Sequence, residues 1–338
     1  MTNLMQDLYG RLDAAGIDSR WVKSTALPDW WEDTIAQNPA GYAEVLSLLA
    51  DHLSLNLSDL QDPAKPLKCE PFLAMRNKVQ QGACAEDLSW ARCVCARATQ
   101  ISCAATVVSP SVIPTTATEV RQTICNDNDN VHLETLLEYC WGLGIPVSHV
   151  MIPPKGSKKL DGVAARMGDR YAIVLAKNSP YNSWLLFILA HELGHIALRH
   201  IKENGLFVDE NDCASDTETE EKAANDFAVE LLTGKSDTIY ETENALTAAK
   251  LANASRKMGA ETQVDSGVIA LNYVRHLDMK HKDKNYWGLA TAALKILEPD
   301  VNAMLTIRNA MQRHLDLERL PDENRDFLLR ITGIDAAL

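Results

Sequence analysis

The chain of 338 residues has room for one large domain or two smaller ones, and its 46% hydrophobic and 23% charged residues are typical of globular proteins. No apolar run reaches the roughly 18–20 residues that a membrane span needs, and the N-terminus lacks the features of a secretion signal, so we expect a cytoplasmic protein. The net charge of −13 disfavours general binding to nucleic acid, but it does not exclude a small local basic patch.

The first part of the chain, residues 1–68, is predicted to form a small helical domain. Apolar residues recur at helical spacing in residues 3–15 and 42–53. Residues 49–60 resemble the closing helices of helix-turn-helix domains of the phage-repressor type, and a helical bundle that binds no DNA is the alternative. Residues 1–100 hold nine Lys and Arg against thirteen Asp and Glu, which favours the alternative.

The second part, residues 69–338, follows a linker rich in proline and is predicted to form an α+β domain with its core at 130–280. The apolar pattern predicts helices over residues 86–102, 131–143, 184–199 and 220–232. Strands are expected at residues 145–151, 162–166 and 171–177, the last two as a hairpin. Loops are expected at residues 107–118 and 203–219. The C-terminal part is expected to be all-helical.

The pattern with the clearest chemistry is HELGH at residues 191–195, an HExxH motif that follows a very apolar stretch. His191 and His195 lie one helical turn apart on the same face, about 5–6 Å from each other, which suits two ligands of one Zn²⁺. Glu192 is offset by about 100° around the helix, where its carboxylate can accept a proton from an attacking water molecule. Burying these polar side chains in so apolar a helix is costly unless a metal compensates them.

A third protein ligand is expected from the predicted helix at residues 220–232, because zinc hydrolases use three. Glu221 is the candidate ligand. Asn225 lies one turn further along the same face, where it can hydrogen-bond one of the ligand histidines. Rival ligands come from the nearby residues Glu218, Glu220 and His200.

These segments and their surroundings resemble the ImmA/IrrE family of metallopeptidases. The resemblance rests on HELGHIALRH, EKAANDFAVELL, GIPVSHV, DGVAARMGDRYAIVLAK and VDSGVIALNYVRH. It implies a gluzincin-like core that holds zinc on His191, His195 and Glu221, and a substrate that is often a co-encoded repressor. The chain departs from the family pattern at residues 233–234, where it has Thr-Gly in place of the common Met-Pro.

Within that family, the long N-terminal region resembles CapP-type peptidases, which pair with a CapH-type repressor in bacterial antiphage (CBASS) operons; other fused members are the alternative. This resemblance implies activation by single-stranded DNA and a cysteine that masks the zinc. A thiolate binds zinc at about 2.3 Å. Among the eight cysteines, those expected near loops or segment ends are Cys69, Cys103 and Cys125.

The sequence therefore predicts a zinc endopeptidase, with Glu192 as general base, that cleaves a specific partner protein, a transcriptional repressor, to release gene expression. Tyr273 and His276 are candidates to stabilise the oxyanion, and packing is the alternative for both. The rival class is a helix-turn-helix transcription regulator with a structural or sensory zinc site. Glu192 separates the two classes, because a structural site has no use for that carboxylate.

Overall fold

The structure, a computed structural model, describes residues 4–68, 74–75, 89–152, 160–208, 215–281 and 284–334. Within these residues the chain is α+β and mostly helical, which confirms the predicted class. The helices of the first half are α1 (Leu4–Ala14), α2 (Ser19–Trp21), α3 (Pro39–Leu53), α4 (Leu57–Gln61), α5 (Ser89–Ala105), α6 (Ala117–Cys125) and α7 (Leu133–Gly142). Those of the second half are α8 (Asn182–Ala197), α9 (Ser215–Thr233), α10 (Ala248–Thr262), α11 (Ser266–Lys280), α12 (Trp287–Leu297), α13 (Ala303–His314) and α14 (Asp322–Thr332).

The described residues also form a mixed sheet of five strands. Its strands are β1 (Ala74–Met75), β2 (Val147–His149), β3 (Gly162–Met167), β4 (Arg170–Leu175) and β5 (Gly205–Val208), in the spatial order β1-β5-β3-β4-β2. β3 and β4 form the predicted antiparallel hairpin, which turns at Gly168 with a φ of +60°. β5 pairs antiparallel with the other edge of β3, and β2 pairs parallel with β4.

Two segments differ from the sequence prediction. The expected loop at residues 203–219 is wrong in part, because it contains β5 and the first turn of α9. β5 is only four residues long, and it is a strand because it pairs with the distant β3. The residues after 107 are irregular as expected, but α6 then begins behind Thr116, whose hydroxyl accepts a hydrogen bond from the backbone N–H of Glu119.

One hydrophobic core extends from the N-terminal helices to the C-terminal ones. Its buried side chains run along the sequence from Met5 to Ile334, and a smaller second cluster joins α10, α11 and α12. Trp21 packs on Trp90 of α5 with ring centres 5.6 Å apart. Residues 4–68 therefore pack against the rest of the chain through a shared core. The division at residue 68 and the helix-turn-helix assignment both stay predictions.

The helix α8 is strongly apolar and lies within this core. Thirteen of its 16 residues are buried, including both histidines and Glu192 of the HExxH motif. It contacts β3 and β4 of the sheet on one side and α9 on another. None of the helices in the described ranges has both the length and the apolar character needed to cross a membrane.

Candidate metal centre

α8 presents its two motif histidines to each other inside the protein. His191 is 4% exposed and His195 is fully buried. Because they are four residues apart on the helix, their rings meet edge to face on one side of it, and the two Nε2 atoms lie 3.0 Å from each other. Both side chains therefore aim the same ring nitrogen at one point.

α9 brings a carboxylate to that point. The Oε2 atom of Glu221 lies 3.3 Å from the Nε2 of His191, and its Oε1 atom lies 3.5 Å from the Nε2 of His195. The helices can approach this closely because residue 194 is glycine. A Cβ there would lie 3.1 Å from the carbonyl oxygen of Ala224 and would push α9 outward.

These three side chains fit a tetrahedral zinc ion. Ligands about 2.0–2.1 Å from one ion lie about 3.3 Å from each other, which matches the observed separations. Two Nε2 atoms that face each other at 3.0 Å need a cation or a proton between them, and the buried Oε1 of Glu221 accepts no hydrogen bond. Burial, with the charges of His191 and His200, also lowers the pKa of His195, which favours the neutral form that binds metals.

The carboxylate of Glu192 is almost completely buried next to this cluster, at 1% exposure. The space for this carboxylate exists because residue 162, the first residue of β3, is a glycine. A Cβ on residue 162 would lie 2.6 Å from the Oε1 atom of Glu192 and 2.8 Å from a methyl group of Ile188. Sequence reasoning missed Gly162, because an Asp-Gly pair before a strand is an ordinary turn signal.

Residues 146–269 match the family model of the IrrE N-terminal-like domain, Peptidase_M78. We call them the M78 segment. It runs from β2 into α11 and includes the whole metal cluster, whereas α1–α7 lie outside it. This family consists of metallopeptidases of the ImmA/IrrE type, which cleave repressors. Neither the curated proteins nor the solved structures include a significant match to the chain.

The M78 segment also contains an orienting partner for one ligand. α8 ends in a turn in which Arg199 takes a φ of +60°, and the backbone N–H of His200 then bonds the carbonyl of His195 at 3.0 Å. This turn folds the His200 ring back, so that its Nδ1 lies 2.9 Å from the Nδ1 of His195. When the Nδ1–H of His195 donates and the Nδ1 of His200 accepts, the Nε2 atom of His195 keeps its lone pair for a metal.

Asn225, the residue predicted for such a role, is half-buried on α9. Among the described residues, no hydrogen bond joins it to either motif histidine, and its orienting role stays a prediction. His200 was weighed from the sequence only as a ligand. Its position just beyond the end of α8 is the one local sign that it can turn back onto His195.

The two residues predicted to stabilise the oxyanion both hold the segment between α9 and α10. The hydroxyl of Tyr273 is buried, accepts a hydrogen bond from the backbone N–H of Leu246 at 3.0 Å and lies 2.9 Å from the Thr242 hydroxyl. The Nε2 of His276 lies 3.2 Å from a carboxylate oxygen of Glu241. An oxyanion role for either residue stays a prediction.

The cysteines proposed as zinc-masking ligands have different surroundings. Cys69 lies outside the described residues. Cys103 is buried in α5, and burial raises the pKa of its thiol to about 12, while Cys125 is half-buried at the end of α6. In the described part of the chain, the cluster of metal-binding atoms contains no cysteine sulfur. Sequence reasoning set Cys95 aside as mid-helix, yet burial and the nearby Glu192 carboxylate both raise the pKa of its thiol.

Proposed function

We propose that the chain is a zinc-dependent endopeptidase that cleaves a specific protein. The observation that carries this proposal is the convergence of His191, His195 and Glu221 on one point, with the buried Glu192 beside it on the same helix. The match of residues 146–269 to a metallopeptidase family supports the same function.

Zinc, when bound to His191, His195 and Glu221, supplies a Lewis acid that polarises the scissile carbonyl and acidifies water. Glu192 accepts a proton from the attacking water and donates it to the leaving amine. Because Glu192 is buried against the backbone of Gly162, its carboxylate is held in one place between these two transfers. His200 holds the ring of His195 through the contact between their Nδ1 atoms.

The substrate that we propose is a transcriptional repressor encoded beside this chain, whose cleavage releases gene expression in a defence or stress response. The support is the family type of the M78 segment, whose members cleave repressors. A helix-turn-helix regulator with a structural zinc site is the alternative. It is disfavoured by the burial of Glu192, since a structural site gains nothing from an ionisable carboxylate there.

The experiment is to incubate the zinc-loaded protein with that repressor and follow the appearance of fragments. Wild type should cleave, and Glu192→Gln should keep its zinc and its melting temperature but lose cleavage, because an amide cannot take the proton. Glu261→Gln changes an exposed glutamate of α10 in the same way and should cleave like wild type. Cleavage by Glu192→Gln would refute the proposed base, and an inert wild type would favour the structural alternative.

We also propose regulation of the CapP type, in which a cysteine covers the zinc until single-stranded DNA binds. Serine variants of Cys69, Cys103 and Cys125 test the original candidates. Cys95→Ser joins them because its thiol lies close enough to Glu192 for the carboxylate to raise its pKa. One variant should cleave without DNA, whereas Cys140→Ser, in the buried face of α7, should not. If every variant keeps wild-type basal cleavage, the proposal that a cysteine covers the zinc is wrong.

A further inference from the structure

Arg275 of α11 is a half-buried arginine for which the described residues offer no hydrogen-bond acceptor. Its guanidinium carbon lies 5.7 Å from the ring centre of Phe187 on α8. No hydrogen bond or ion pair joins it to any described residue, and burial lowers its pKa although the charge of Asp226 on α9 acts in the opposite direction. By contrast, two other partly buried arginines donate to backbone carbonyls, Arg121 to three and Arg170 to two.

The position of Arg275 relates it to the metal centre. Phe187 precedes His191 by four residues, so the two side chains lie one turn apart on α8, about 5–6 Å between their Cβ atoms. Asp226 follows Glu221 by five residues on α9. Arg275 therefore contacts α8 one turn before His191, and the charge of Asp226 on α9 acts on it.

This side of α8 is also where the helix is least covered. Trp184 and Phe187 are half-buried, whereas the residues on the sheet side of the helix are buried. The surface of α8 between the metal centre and Arg275 is therefore partly open to solvent at Phe187. Other tyrosine and histidine side chains of α11 do not compete for that place, because Tyr273 and His276 bond to the segment between α9 and α10.

The chemistry of the guanidinium selects the group that it binds. The contact with the Phe187 ring supplies no hydrogen-bond acceptor to the N–H donors of the guanidinium. A desolvated cation without an acceptor is costly, so a bound partner that supplies one gains affinity. A carboxylate matches the planar fork with two parallel hydrogen bonds, which a single carbonyl oxygen cannot do.

From these observations we infer that Arg275 is a substrate-binding residue that receives an acidic side chain of the polypeptide next to the scissile bond. The inference rests on the proposed peptidase function and adds to it a preference for Asp or Glu near the cleavage site. A preference for acidic side chains requires a positive charge in the binding site, and Arg275 supplies one although the net charge of the chain is −13.

The test uses short peptides capped with a hydroxamate, which anchors them to zinc. Members of each pair differ only in Glu or Gln at one of the three positions next to the cap. Calorimetry with the zinc-loaded protein measures their affinities without any turnover. At one position, wild type should bind the Glu peptide about tenfold more tightly than the Gln peptide, as expected for a charge-assisted pair of about 1.4 kcal/mol.

Arg275→Gln should bind both members of that pair equally. Arg275→Lys, which keeps the charge and the packing stem but not the fork, should keep part of the preference, and it serves if the first variant does not fold. Arg256→Gln, which changes an exposed arginine of α10, should behave like wild type. The inference is overturned if wild type shows no preference at any position, or if the preference survives in Arg275→Gln.

Failure of all peptides to bind would also overturn the inference. The proposed function is judged separately, from zinc content and from repressor cleavage by wild type and Glu192→Gln. A protein that cleaves its repressor but ignores the Glu-for-Gln change keeps the peptidase function and loses the acidic subsite.

Discussion

The buried carboxylate of Glu192 has room only because the facing residue of β3 is a glycine. Glu192 fits because Gly162 has no Cβ, and a methyl group there would lie 2.6 Å from the Oε1 atom of Glu192. The same methyl group would lie 2.8 Å from a methyl group of Ile188. The position of the proposed base is thus set from the sheet as well as from α8.

We predict that Gly162→Ala lowers kcat by an order of 10²-fold while zinc remains bound, since displacement of a catalytic group by about 1 Å has an effect of this size. Repressor cleavage and zinc content measured on the same sample test it. Gly142→Ala is the control, because a Cβ at residue 142 meets nothing within 4 Å. Unchanged kcat in Gly162→Ala would mean that the base is not held by the strand.

Local pattern was enough to find the three side chains that the structure brings together. His191 and His195 are neighbours through helix geometry alone, and Glu221 lies on a helix with a recognisable apolar face. No local sequence pattern marked Gly162, Cys95 or Arg275. Their relation to α8 depends on how distant segments of the chain pack together, and sequence spacing carries no information on those distances.

At the scale of elements, the strength of local signals decided what could be predicted. The β3–β4 hairpin was found because a Gly-Asp turn separates two apolar runs, and α8 because its apolar run is long. β5 was missed because four residues among charged neighbours become a strand only by pairing with β3. α6 was missed because it follows a stretch rich in proline and threonine.

The turn that ends α8 places the ring of His200 against the ring of His195. We predict that His200→Ala weakens zinc binding by about 10–100-fold, the usual effect of losing a partner that orients a ligand histidine. Competition with a chelator measures the affinity. His281→Ala removes an exposed histidine after α11 and should leave the affinity unchanged. Equal affinities of His200→Ala and wild type would show that the contact between the Nδ1 atoms does not matter for the metal.

At the scale of the whole molecule, the N-terminal helices are tied to both ends of the remaining chain. The buried Arg97 of α5 pairs with Asp51 of α3 and donates to Asn324 of α14 at 2.7 Å. The buried ring of His52 stacks on Phe327 with ring centres 4.2 Å apart. Removal of residues 1–68 would expose these faces of α5 and α14 to water.

We therefore predict that a chain beginning at residue 69 loses cooperative unfolding, because it exposes apolar surface that the full chain buries. Thermal melting followed by near-UV circular dichroism is the measurement. Addition of residues 1–68 as a separate polypeptide should restore part of the transition. A truncated chain that melts like the full chain would instead establish residues 1–68 as the independent domain that the sequence predicts.

The claim on which the rest depends is that one zinc ion sits between α8 and α9. Elemental analysis of purified wild type, Glu221→Gln and Glu218→Gln tests it directly. Glu218 is an exposed glutamate of α9, three residues before the proposed ligand, and it was a rival for that role. We predict about one zinc per chain in wild type and Glu218→Gln and a large loss in Glu221→Gln, since a three-ligand site has no spare donor. A full complement of zinc in Glu221→Gln, or its loss in Glu218→Gln, would contradict the assignment.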